Sequence, residues 1–217
     1  MNFIATGMVL LIASFTSCEQ AENQPKMTSN EMNISVPEGT KTDTATFGTG
    51  CFWCTEAIFQ ELDGVLSATS GYSGGSVVNP TYKQVCDGTT GHAEVIQIVY
   101  DPSKITFDEL LAAFWQSHDP TTLNRQGNDV GPQYRSVIFY HNQEQKEKAE
   151  KYKAELDKSK AFDDPIVTEI SPFLNFYVAE DYHQEYYANN GSQAYCYYVI
   201  RPKLDKFRKV FKDKLKK

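Results

Sequence analysis

The sequence predicts an α/β fold of the two-layer α+β type, a mixed sheet with helices packed around it. Three observations carry that prediction. Short strand-like runs and helix-period runs alternate from Thr44 onward, the pattern of a sheet covered by helices rather than of a bundle or a sandwich. Turn formers such as Gly74-Gly75 and the stretch Asp119 to Gln133 separate those runs. The 217 residues are 41% hydrophobic and 13% aromatic, enough to bury one substantial core without a second domain.

The elements follow in chain order. Phe3 to Phe15 is an apolar run of 13 residues, too short to span a bilayer and of the length of a secretory signal core. Glu19 to Asp43 is polar and aperiodic and reads as a flexible tether, so the folded domain is expected over 44–217. Thr44 to Thr49 is the first strand. Thr55 to Leu62 continues a helix opened by Cys51, with Ile58, Phe59 and Leu62 on the face that Cys51 and Cys54 begin. Val65 to Tyr72 and His92 to Tyr100 are strands, the second with Glu94, Ile96, Ile98 and Tyr100 on one face. Thr106 opens a helix running to His118, because Thr106-x-x-Glu109 is a capping box and Ile105 and Leu110 stand at the hydrophobic staple positions. Asp119 to Gln133 is a long loop, where binding residues tend to sit. Arg135 to Tyr140 is a strand, Gln143 to Lys160 a charged surface helix, and Ile166 to Ile170 a further strand. Lys203 to Lys217 is an amphipathic helix with a solvated basic face. Outside it there is no basic stripe, and the net charge of −7 argues against a nucleic-acid partner.

Chemistry concentrates in Gly50-Cys51-Phe52-Trp53-Cys54, two thiols and two large aromatics in five residues. At a helix start, unpaired backbone N–H groups and the positive end of the helix dipole favour a thiolate, so Cys51 is expected to be the ionised nucleophile. A pair of structural cysteines or half of a zinc site are the competing readings of a C-x-x-C. The Phe-Trp insert and the lack of a second ligand pair weigh against zinc, and no metal is expected. Redox chemistry is expected for Cys51, Cys54 and Cys196. Cys86, with no activating charge beside it, is expected to be a buried bystander. Glu94 is a carboxyl on an otherwise apolar strand face, where desolvation would keep it protonated for use as a general acid. A strand-end glutamate turned into solvent is the alternative.

These residues sit in a series of longer motifs. Gly50-Cys51-Phe52-Trp53 followed by Glu56, Gly71-Tyr72-Ser73-Gly74-Gly75, Asn79-Pro80-Thr81-Tyr82, Thr90-Gly91-His92-Ala93-Glu94, Asp119-Pro120-Thr121-Thr122, Asn124 to Gly131 and Gln133-Tyr134-Arg135-Ser136 resemble the A-type peptide methionine sulfoxide reductases over about Thr46 to Phe211. The resemblance implies a ferredoxin-like core and a reductase for the S epimer of methionine sulfoxide, free or in proteins; no cofactor is expected, and the chain is expected to be a monomer. Separate enzymes serve the two epimers. It assigns attack on the sulfoxide sulfur to Cys51 and proton donation to Glu94. Tyr82 and Tyr134 match hydroxyl donors to the sulfoxide oxygen, Asp129 a residue ordering that polar side, and Phe52 and Trp53 a cage for the S-methyl group. Tyr195-Cys196 resembles the site of a resolving cysteine in a C-terminal loop, with Asn189 to Ser192 as its flexible lead. Cys196 is therefore favoured as the first resolver and Cys54 as its alternative or as second in a relay, and a thioredoxin-like reductant is implied. His92 and His183 are read as structural.

Phe15-Thr16-Ser17-Cys18 resembles the lipobox of bacterial lipoproteins, although Met1-Asn2 brings no Lys or Arg and Phe15 replaces the usual Leu. This implies export and a membrane anchor through an acylated Cys18, facing the periplasm or cell surface. A non-lipidated signal is the alternative. A thioredoxin-like disulfide oxidoreductase and a non-catalytic binding lipoprotein are the remaining function classes. The first lacks the Trp expected before the first cysteine.

Overall fold

The computed structural model describes Gly39 and residues 41–217. The apolar run Phe3 to Phe15, Cys18 and nearly all of the expected tether lie outside the described residues. Strands buried on both faces build the sheet. Strands β1 (Asp43–Thr49), β2 (Val65–Ser73), β3 (Ala93–Tyr100) and β6 (Ser136–Tyr140) carry most of it, with β7 (Glu169–Pro172) and β8 (Tyr177–Val178) at its two edges in the order β7-β6-β1-β3-β2-β8. All pairings are antiparallel except β6 with β7. A separate hairpin, β4 (Arg125–Gln126) and β5 (Asp129–Val130), folds within the long segment expected to be irregular.

One face of the sheet supplies Ala45, Phe47, Ile96 and Ile98 to a core closed by helices α1 (Phe52–Phe59), α3 (Phe107–Ser117), α4 (Gln143–Ser159) and α6 (Arg201–Val210). The opposite face is smaller. There Ala93, Val95, Val137 and Phe139 are covered by Phe173 and Phe176. Both halves of the Thr106 and Glu109 capping box form, and Ile105 and Leu110 are fully buried. Helix α4 starts at Asn142, whose side chain accepts from the Gln145 N–H, and ends on Lys160 in the left-handed conformation. Two short helices, α2 (Tyr82–Cys86) and α5 (Tyr186–Asn190), and 3-10 turns at Pro132–Tyr134 and Asp181–His183 complete the chain with a π-helical turn at Cys196–Ile200.

Several boundaries differ from expectation. The strand read at Ile166 to Ile170 pairs only from Glu169, because Ile166 is held by its N–H on Asp157 Oδ1 and buries its side chain instead. The last helix ends at Val210 rather than Lys217. Beyond it the chain turns so that Leu215 bridges to Leu62. Helix α1 is buried nearly all round. The thiols and Ala57 form one cluster, and Phe52, Ile58, Phe59 and Leu62 belong to the main core.

Candidate active site

The site forms where β1 runs into α1. Gly50 joins them at φ +98°, and a Cβ there would lie 2.6 Å from that of Gln126 on the hairpin, so both conformation and close approach require glycine. Cys51 is the N-cap of α1 and is 7% exposed. Antiparallel pairing of Phe47 with Ile96 continues so that Glu94, two residues earlier on β3, runs beside the exit of β1. The Phe52 N–H, first of the helix, donates to Glu94 Oε2 at 3.1 Å.

That contact decides the local electrostatics. Glu94 is 1% exposed, and its pKa rises to about 8, mainly by desolvation; the Phe52 N–H opposes the rise, and Asp129 and Cys54 add to it. The carboxyl is therefore protonated at neutral pH. Cys51 corrects the expectation of a thiolate. Burial pushes its thiol up, with its contact to Cys54 and the nearby Glu94 adding to the effect, while the same contact pulls Cys54 down despite that residue's own burial. A helix start favours an anion, but the first N–H of this one is taken by Glu94 and the sulfur is out of water.

Cys51, Cys54 and Cys196 meet in one buried cluster with Ala57 and Ile200, bordered by Trp53, Tyr134 and Tyr195. All are free thiols. Cys196 is 0% exposed on the π-helical turn, and of the segment read as its flexible lead Asn189 and Asn190 end helix α5 while Gly191 and Ser192 form a turn. Cys86 is exposed rather than buried. It ends α2, a helix too short to bury both faces.

The aromatic residues split as their positions dictate. Phe52 is buried in the core, and Trp53 is half-buried with Tyr186 stacked on it at 3.7 Å and 7°. Tyr82 on α2 and Tyr134 on the 3-10 turn are half-buried, and Glu94 lies within electrostatic reach of both. Asp129 on β5 accepts the Tyr195 hydroxyl at 2.9 Å, and that hydroxyl is 3.9 Å from Cys54 Sγ.

Four contributors were not legible as such. Tyr195 ties the thiols to Asp129, and Glu180 accepts from both the Tyr72 hydroxyl and the Tyr82 N–H at 2.8 Å. Glu56, 2% exposed, has a pKa raised to about 7 by burial against the opposing N–H groups of Glu185 and Tyr186, so it faces the start of α5. His183 receives the Trp53 indole N–H. The place of Glu56 on a buried helical stripe was the one available signal; the others are joined only by the fold. A cavity of about 600 Å3 opens further along α1, past Glu56, Gln60 and Arg208, and contains none of the thiols.

A cluster of free cysteines at a helix start, beside a buried protonated carboxyl, defines a thiol-dependent oxidoreductase site. A mixed sheet, mostly antiparallel, carries it. The chain belongs to the peptide methionine sulfoxide reductase family, whose model matches residues 43–215. It is 56% identical over 174 residues to peptide methionine sulfoxide reductase MsrA 1 of Rhodopirellula baltica, covering 80% of this chain and 90% of that one. The corresponding MsrA of Deinococcus radiodurans is 48% identical over 196 residues, 90% of this chain and 95% of its own. Among solved structures, the reduced form of Mxr1 from Saccharomyces cerevisiae superposes with a TM-score of 0.68 at 38% identity, over 74% of this chain and 92% of that one.

Proposed function

We propose that this oxidoreductase reduces the S epimer of methionine sulfoxide, free or in proteins, with Cys51 as nucleophile and Glu94 as acid. The observation that carries the assignment of roles is the protonated Glu94 carboxyl held on the Phe52 N–H, one residue from Cys51. The proton of Cys51 passes to the neighbouring Cys54, whose pKa their contact lowers. The Cys51 thiolate then attacks the sulfoxide sulfur while Glu94 protonates the oxygen, with Tyr82 and Tyr134 donating to it and Asp129 ordering Tyr195 on the same side. Oxygen is transferred to the Cys51 sulfur, leaving methionine and a sulfenic acid. Phe52 and Trp53 would hold the S-methyl group.

Resolution forms a disulfide and water. The place of Cys54 beside Cys51 in the thiol cluster and its lowered pKa, which eases loss of the proton it has taken, support it as first resolver. Cys196, its thiol raised by burial, would then take over Cys54 by exchange and free Cys51. This order reverses the one favoured by the sequence. A thioredoxin-like dithiol would reduce the final disulfide. The run β1-α1-β2-β3-α3-β6, with inner order β6-β1-β3-β2, supports a ferredoxin-like description of the core.

For the N-terminus we propose export and, through acylation of Cys18, a membrane anchor with the catalytic domain tethered outside the cytoplasm. The 13-residue apolar run and the small residues before Cys18 support this. Mass spectrometry of the mature chain would show a diacylated Cys18, and an intact Met1 would refute it. The function itself is tested by offering S and R epimers of a blocked methionine sulfoxide with dithiothreitol. Turnover of S alone is expected, and turnover of neither, or of R, defeats the assignment.

A further inference from the structure

We propose that His183 is a positioning residue that fixes the Trp53 indole and so sets the width of the pocket for the substrate's S-alkyl group. The inference rests on the proposed seating of that group against Phe52 and Trp53. Helix α1 fixes only the Cα–Cβ direction of Trp53 and leaves two side-chain torsions to be set by neighbours. Tyr186, stacked at 3.7 Å and 7°, fixes the plane of the indole but lets it slide within that plane. The bond from Trp53 Nε1 to His183 Nδ1, at 3.0 Å, removes that freedom.

The imidazole is itself packed on both flanks by aromatic rings, with Nε2 left without a hydrogen-bond partner. It is 1% exposed, its ring centre 4.9 Å from Phe52 and 4.4 Å from Tyr82, so it borders both the apolar wall and one of the hydroxyl donors. Its backbone N–H donates to the Glu180 carbonyl at 2.8 Å, and the Glu180 carboxylate in turn holds Tyr72 and the start of α2. Indole N–H is a donor only, so Nδ1 is the acceptor and the neutral ring carries its proton on Nε2, 3.9 Å from Glu180 Oε2. Burial keeps the imidazole in that neutral, accepting form. A histidine that merely filled space would be replaceable by phenylalanine. One that positions Trp53 needs an acceptor at the δ position.

The test compares kcat and KM for the S epimers of methionine sulfoxide and its S-ethyl homologue in His183→Phe, His183→Asn, His183→Gln and Trp53→Phe. Loss of one buried acceptor predicts that His183→Phe and His183→Gln raise KM for the methyl substrate about tenfold and erode the methyl-over-ethyl preference about tenfold, with kcat changed by less than about threefold. Asparagine places an amide oxygen near the Nδ1 position, so His183→Asn is expected to recover most of both losses. The Asn and Gln contrast decides the matter even where the Phe variant does not fold. Equal behaviour of Asn and Gln, or an unchanged preference in a folded His183→Phe, overturns the inference. A preference altered by Trp53→Phe but by none of the His183 variants leaves the pocket reading standing and removes His183 from it. A preference unchanged in all four defeats the pocket reading and this inference together.

Discussion

The two walls of the site are built differently. On one side, Cys51 and Glu94 ride on β1, α1 and β3, elements of seven or eight residues tied by ladder hydrogen bonds and buried on both sides. On the other, the chain from Glu180 to Ile200 is a 3-10 turn, a five-residue helix entered through a left-handed Glu185, and a π-helical turn. That wall is held by side chains reaching across to it. Trp53 bonds His183 and stacks on Tyr186, Glu56 faces the start of α5, and Asp129 holds Tyr195. Reacting groups need fixed distances, whereas a wall that shapes a pocket and supplies a late-acting thiol is set by a few replaceable contacts.

The comparison breaks first at Cys51. Cys51→Ser is expected to abolish reduction, measured as methionine formed with dithiothreitol, because a serine hydroxyl cannot supply a soft sulfur nucleophile. Glu94→Gln is next, with a single-turnover rate roughly a hundred- to ten-thousand-fold lower and substrate binding retained. The wild-type rate should fall above about pH 8 as Glu94 loses its proton, and that limb should be absent from the variant. An unchanged rate would remove Glu94 as the acid.

On the opposite wall the chemistry should survive and the recycling should not. Cys196→Ser is expected to form one methionine per enzyme at the wild-type rate and then stall with thioredoxin, with a Cys51–Cys54 disulfide mapped in the stalled protein. Normal recycling in that variant would place Cys196 outside the relay. The smallest effect is expected at Ala194, exposed just before the π-helical turn. Ala194→Gly should lower stability by no more than about 1 kcal/mol and leave single-turnover reduction intact, whereas Gly50→Ala, at positive φ against Gln126, should lower the Tm clearly more. Equal losses at the two positions would erase the distinction between the walls.

Legibility in the sequence follows the same division. Alternation placed β1, β2, β3 and β6 within about two residues, and the Thr106 box placed the start of α3, because each signal is local and the side chains concerned end up buried as patterned. The face of Glu94 was readable for the same reason. Helices α2 and α5, the hairpin and the edge strand β8 were not, since two to five residues carry no period and their stability comes from partners distant in sequence. The ionisation of Cys51 was misread because the competitor for the helix start, Glu94, lies 42 residues away and meets it only in the folded register.

The hydrogen that Cys51 retains has a consequence for survival under oxidative conditions. Peroxide attacks thiolates far faster than thiols, and repeated attack leads to sulfinic and sulfonic acids that thiol exchange does not reverse. A nucleophile kept as a buried thiol by its surroundings is shielded while idle. Any cysteine of the resting site that is oxidised lies within reach of two other thiols able to trap it as a reducible disulfide. The arrangement sacrifices resting nucleophilicity for longevity, a balance suited to an enzyme whose substrate is itself made by oxidants.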